Sequence, residues 1–147
     1  MFKEVDLKDA YKMISGTAVV ASKGKFSYDI TPYGWIMPMD YEPVTKVIFS
    51  SDPAHQCAHN VKETKEFAVC IPKSQDDAHW IEKAGSVSDE HADKFKMFGI
   101  EGTKAKKTDL MIPENEIQGW IECRLIRVIK EGSVELFLGE AVAAYSL

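Results

Sequence analysis

The chain has 147 residues, a length that suits one domain and buries most of its apolar surface without disulfide or metal staples. Its 45% hydrophobic and 28% charged content is that of an ordinary globular protein, and no apolar run reaches the roughly 18 residues of a transmembrane helix. With a formal net charge of −5, and only Lys104, Lys106 and Lys107 as a basic group, nucleic acid is excluded as an expected partner, whereas one phosphate needs only a local pocket. The start, Met1-Phe2-Lys3-Glu4-Val5-Asp6, mixes both charges and lacks the apolar core of a secretory signal, so the expected location is cytoplasmic. Cys57, Cys70 and Cys123 are odd in number and form no C-x-x-C pair, which argues for reduced, buried thiols over a disulfide framework or a zinc site.

In chain order, Lys8 to Ser15 reads as a short helix. Thr17 to Ser22 is a buried strand, Lys23-Gly24-Lys25 a tight turn, and Phe26 to Ile30 a second strand. The next segment, Thr31-Pro32-Tyr33-Gly34-Trp35-Ile36-Met37-Pro38-Met39-Asp40-Tyr41-Glu42-Pro43, reads as a loop. Thr45 to Ser50 is a third strand, and Ser50-Ser51-Asp52-Pro53 starts a helix from Ala54 to Lys65, with Asp52 expected to cap it. Phe67 to Ile71 is a strand buried on both faces and ended by Pro72. Helices follow over Asp76 to Lys83 and His91 to Phe98, the second stopped by Gly99. Ile100 to Pro113 shows little pattern, and Ile117 to Ile129 and Val134 to Ala144 are long strands around a Lys130–Ser133 turn. Six strands with helices between them predict a mainly β fold, a closed or nearly closed antiparallel barrel with peripheral helices, occupying 1–147 as a single domain.

The Pro-rich segment carries the first functional signal. A solvated turn uses Gly, Asn, Asp and Ser, whereas this one sets aromatic and thioether side chains on a stiffened backbone. It is expected to meet a planar ligand, a partner chain, or both. Alone, Trp35 and its neighbours fit a subunit interface equally well, Ser50 and Ser51 are ordinary turn residues, and Lys94 is an ordinary helix lysine. His55-x-Cys57-x-His59 places two histidines on one helical face, but no third ligand stands at suitable spacing, so no metal site is expected. P-loop, G-x-S-x-G and G-x-G-x-x-G patterns are absent, which leaves ATP chemistry and a Rossmann-type nicotinamide site unsupported.

Several segments stand in a telling order: Gly34-Trp35 with Tyr41-Glu42-Pro43; Ser50-Ser51 before a helix; Glu66-Phe67-Ala68-Val69-Cys70-Ile71-Pro72; Asp93-Lys94-Phe95 with Phe98-Gly99-Ile100; Trp120-Ile121-Glu122-Cys123-Arg124-Leu125; and Leu136-Phe137-Leu138-Gly139-Glu140-Ala141-Val142. Together, over Tyr11 to Ala144, they resemble the flavin reductase-like FMN-binding proteins of the split β-barrel fold, including flavoredoxins. The resemblance implies a six-stranded split barrel, a homodimer, and one FMN per subunit near the dimer interface. It brings Thr31, Pro32, Tyr33, Gly34 and Trp35 to the isoalloxazine ring. It brings Ser50 and Ser51 to the ribityl chain and phosphate with His55 nearby, and Lys94 to the phosphate with Ser86 and Ser88 in the preceding loop. The function implied is an oxidoreductase that moves electrons from NADH or NADPH to a flavin, metal or protein acceptor, with no side chain as general acid or base. The alternatives are a flavoredoxin-like carrier that does not oxidise nicotinamide, and a flavin-free binding module. Two features depart from the family: Cys70 stands where relatives often have asparagine, and many relatives continue beyond the last strand.

Overall fold

The structure, a computed structural model, describes residues 1–74 and 79–147. Its strands are β1 (Lys3–Glu4), β2 (Ala18–Lys23), β3 (Tyr28–Tyr33), β4 (Ile36–Asp40), β5 (Lys46–Ser51), β6 (Glu66–Pro72), β7 (Thr103–Lys104), β8 (Met111–Ile112), β9 (Ile117–Glu131) and β10 (Val134–Ser146). The α-helices are α1 (Gln56–Thr64), α2 (His79–Gly85) and α3 (Lys94–Phe98), with 3₁₀ turns at Ala10–Met13 and Glu114–Glu116.

Eight strands form one sheet in the order β3-β2-β6-β9-β10-β5-β4, with β1 against β10, while β7 and β8 make a separate ribbon. Every pairing is antiparallel. The chain order of β3 and β4 decides the shape. They end opposite sides of the hydrogen-bonded path, yet only Gly34 and Trp35 separate them. Three Cα–Cα steps reach at most about 11 Å, so the sheet must curl until its two edges meet. At that seam the Ser50 N–H donates to the Trp35 carbonyl at 2.9 Å, and the Tyr33 ring lies 4.8 Å from the Phe49 ring. The result is the mainly β, split-barrel architecture expected from the sequence.

Strand alternation fills two cores. Val20, Phe67, Val69 and Ile71 point into the barrel with Tyr33, Phe49 and Phe137, and α1 closes that interior with Cys57, Ala58 and Val61. Val19, Ala21, Ala68 and Cys70 point the other way, beneath Trp80, Ile81 and Ala84 of α2, together with Leu110, Ile112 and Trp120. This is why β2 and β6 are apolar on both faces, as their sequences suggested.

The differences from expectation have local causes. The sheet gains β1 and β4 over the six strands expected, and β4 comes from the segment read as a loop. Pro32 and Pro38 are tolerated there because β3 and β4 are edge strands, where a missing N–H breaks no ladder. The second strand runs Tyr28–Tyr33 and the first helix shrinks to the 3₁₀ turn Ala10–Met13. The helix expected over Ala54 to Lys65 runs Gln56–Thr64 and is capped by Lys65, which takes the left-handed conformation at φ 63°. The Asp93 carboxylate accepts from the Lys96 N–H, so α3 starts at Lys94, and Gly99 ends it at φ 63°. The start expected for the preceding helix, Asp76, lies outside the described residues; the helix is seen over His79–Gly85.

Residues 100–113 are more ordered than their pattern suggested. The β7–β8 hairpin and the loop between its strands wrap one fully buried carboxylate, Glu122. It accepts from the amides of Lys106 (2.9 Å), Lys107 (2.7 Å) and Thr108 (2.9 Å), the Thr108 hydroxyl (2.9 Å) and the Trp120 indole (3.0 Å). Burial alone would raise its pKa. The bonds from Trp120, Lys106, Lys107 and Thr108 outweigh burial and hold it below the usual range.

Candidate functional site

Three chain segments converge at the barrel seam: the β3–β4 turn, the end of β5 with the start of α1, and the β9–β10 turn. Pairing explains the third, because Leu136 faces Ser50 and Glu135 faces Ser51, so Ser133 and Val134 project past the end of β5. Gly132, at φ 60°, allows the tight turn that delivers them. Together the segments line a cavity of about 410 Å³ with Pro32, Tyr33, Gly34, Trp35, Ser50, Ser51, Asp52, His55, Ser133 and Val134. An adjoining apolar cavity of about 410 Å³ shares Gly34, Trp35 and Ser50 and adds Ile36, Met37, Ile48, Phe49 and Leu136.

A larger cavity, about 920 Å³, lies between the β2–β3 turn and α1, walled by Lys23, Lys25, Glu63, Glu66, Glu90 and Asp109 among others. Its mixed charges make it a solvated groove. The seam has what a cofactor site needs, an apolar wall with a few convergent polar groups.

The Tyr33 and Ser51 hydroxyls lie 2.9 Å apart, and Ser51 donates to the Asp52 carbonyl at 3.0 Å. Burial, then the adjacent Cys57, pushes the Tyr33 phenol far above its usual pKa, so it acts as a neutral hydrogen-bonding group. Gly34 faces open space: a Cβ there would meet no protein atom closer than the Thr17 hydroxyl at 4.0 Å. Trp35 is 75% exposed, and with Met37, Met39 and Tyr41 it makes an outward apolar ridge beside the cavity.

Of the residues singled out in the sequence, Pro32, Tyr33, Gly34, Trp35, Ser50, Ser51 and His55 come together here. Thr31, Ser86 and Lys94 do not line the cavity. The Thr31 hydroxyl donates to Asp29 at 2.8 Å, Ser86 donates to the Lys83 carbonyl at 2.6 Å, and Lys94 is buried against Asp29. Ser88 reaches α1 instead, where its hydroxyl accepts from the Gln56 N–H at 2.9 Å. Asp52 does not cap the helix as expected. It closes the preceding turn, its side chain accepting from the Ala54 amide and its carbonyl from the His55 amide, and it lines the cavity. Cys70 points into the α2-side core, away from the site. Sequence reasoning missed Ser133 and Val134, whose place follows only from the β5–β10 register.

Fold and geometry thus define a split-barrel protein with a cleft where its sheet edges meet. Known proteins give the family. Residues 10–146 match the flavin reductase like domain, and the chain belongs to that family. An uncharacterised Escherichia coli protein is 27% identical over 117 residues, which cover 79% of this chain and 61% of that one. The chain spans about three fifths of the length of the curated relatives it matches. Among solved structures, an FMN-binding domain of a flavin reductase-like enzyme from Shewanella baltica superposes with a TM-score of 0.84 at 20% identity, over 99% of this chain and 77% of that one. A flavoredoxin from Methanosarcina acetivorans gives a TM-score of 0.77 at 23% identity, covering 90% of this chain and 68% of its own. Among the described residues no helix is long and apolar enough to cross a membrane.

Proposed function

We propose that this chain binds FMN at the seam and works as an oxidoreductase, taking reducing equivalents from NADH or NADPH and passing them to a flavin, metal chelate or protein acceptor. The observation that carries this proposal is the convergence of Pro32–Trp35, Ser50, Ser51 and His55 on one cavity, joined by Ser133 and Val134. The cavity's volume supports a flavin, lying within the ~300–1,000 Å³ of small-molecule sites, and a Cβ at Gly34 would meet nothing closer than the Thr17 hydroxyl at 4.0 Å. The FMN-binding Shewanella relative and the flavoredoxin support the choice of cofactor.

Bound FMN would supply the hydride and electron chemistry. The chain's own residues hold and shield. The backbone of Pro32–Trp35 permits a close approach at Gly34, and Trp35 and Val134 give an apolar wall. Ser50, Ser51 and Ser133 offer hydroxyls to a polyol chain. The Ser51 hydroxyl, 2.9 Å from the Tyr33 hydroxyl and 3.0 Å from the Asp52 carbonyl, keeps acceptor capacity towards a ligand. His55, beside the start of α1, is the group closest in character to a phosphate partner. We assign no side chain as general acid or base. The exposed ridge of Trp35, Met37, Met39 and Tyr41 is the surface on which a second copy would dock, forming a homodimer with the cofactor near the interface.

One observation favours a second reading, an FMN electron carrier without nicotinamide oxidation. Among the described residues lining the two adjoining cavities there is no Lys or Arg, the side chains that best clamp a pyrophosphate. Anaerobic mixing of the FMN-loaded protein with NADH or NADPH separates the two. Bleaching of the visible flavin bands with either donor supports the reductase; FMN that stays oxidised with both leaves the carrier.

A further inference from the structure

Lys94 is the cation that the family resemblance sends to a phosphate, and its surroundings argue for another task. It opens α3 and is 1% exposed. Its ammonium lies 2.9 Å from Asp29 Oδ1, donates to the Ile30 carbonyl at 2.8 Å and reaches the Thr31 hydroxyl at 3.5 Å. The other Asp29 oxygen accepts from that same hydroxyl at 2.8 Å. Of the three protons of an ammonium, two are taken by Asp29 and the Ile30 carbonyl at full hydrogen-bond distance, and the third faces the Thr31 hydroxyl in a longer contact. Turning Lys94 towards a ligand would abandon a carboxylate that is itself only 6% exposed, leaving a buried charge without its partner.

All of these contacts fall on residues 29–31 of β3, directly before Pro32–Trp35. β3 ends the sheet path, so among the described residues no strand pairs with its outer side, and the α3 lysine supplies a tie there. Resting on the flavin proposal above, we infer that Lys94 is a positioning residue. It fixes the outer edge of β3, and with it the Pro32–Trp35 wall, and it does not touch the ligand's phosphate.

Riboflavin, which is FMN without the phosphate, makes this testable. FMN and riboflavin are titrated, by quenching of flavin fluorescence, into the wild-type chain, Lys94→Met, and the charge-balanced Lys94→Met/Asp29→Asn variant, with folding checked by circular dichroism. A positioning role weakens both ligands by the same factor and keeps their affinity ratio within about twofold of wild type. A loss confined to FMN, about tenfold or more, makes Lys94 a phosphate ligand and overturns the inference. Unchanged affinity for both ligands in a folded variant overturns it too. Should the variants fail to fold, the Lys94 side-chain ¹⁵N resonance of the wild-type protein decides. It is expected to be the same with FMN as with riboflavin, and a shift specific to FMN contradicts the role. A wild-type chain that binds neither flavin refutes the flavin proposal itself, and this inference with it.

Discussion

The Tyr33 hydroxyl lies 2.9 Å from the Ser51 hydroxyl, joining the last residue of β3 to the last residue of β5 across the barrel seam. Either hydroxyl can be the donor in this pair, and Ser51 has a second partner in the Asp52 carbonyl at 3.0 Å. Tyr33→Phe removes that bond but leaves Ser51 with a partner, so no buried group is orphaned. Urea denaturation should show a loss of about 0.5–1.5 kcal/mol, with flavin affinity falling as the cavity wall loosens. A stability loss well above that range would mean the phenol does more than join the two strands.

Gly34→Val tests whether the open space at the β3–β4 turn belongs to a ligand. The new side chain meets at Cβ only the Thr17 hydroxyl, at an ordinary contact distance of 4.0 Å, so the melting temperature should stay near wild type while flavin binding is lost. Gly139→Ala is the opposite case: its Cβ would sit 2.4 Å from the Phe67 ring in the barrel core, so thermal stability should drop. Normal flavin uptake by Gly34→Val would place the site elsewhere.

The legible parts of this chain were those set by local pattern. The two-faced apolar runs of β2 and β6 predicted buried central strands, and the turns at Gly24 and Gly132 marked hairpins. The Pro-rich segment reads as a loop in the sequence, because proline signals a break unless the strand is known to lie at a sheet edge. Edge position is a property of the whole sheet. Lys94 illustrates a second limit: its partner Asp29 is distant in sequence, and nothing local announces a buried ion pair. Ser133 and Val134 needed the β5–β10 register. The order in residues 100–113 comes from Glu122, a single carboxylate on another strand.

Glu122→Gln should cost roughly 1–3 kcal/mol at neutral pH, since an amide keeps one acceptor and turns a donor towards the loop's N–H groups. The wild-type pKa is held below its unfolded value, so the stability it contributes is complete above that value, near pH 4.3. That contribution is lost as pH falls through the lower folded value. Urea midpoints measured from pH 7 down to pH 3 should therefore fall more steeply for wild type than for the variant. Parallel curves would remove Glu122 from the acid response.

The three thiols should be silent in the folded state. Burial, then the charge of Asp29, pushes Cys57 up to about 12, and burial with the charge of Glu122 pushes Cys70 and Cys123 up as well. A thiol-reactive chromophore added at pH 8 should label none of them before denaturation and all of them after it. Fast labelling of the native protein would contradict their burial.

Flavin at the seam is tested most directly by titrating the purified chain with FMN and following its visible absorption. Saturable uptake of one FMN per chain, with the flavin bands perturbed and the uptake abolished in Gly34→Val, is the predicted result. A colourless protein that takes up no added FMN would contradict it.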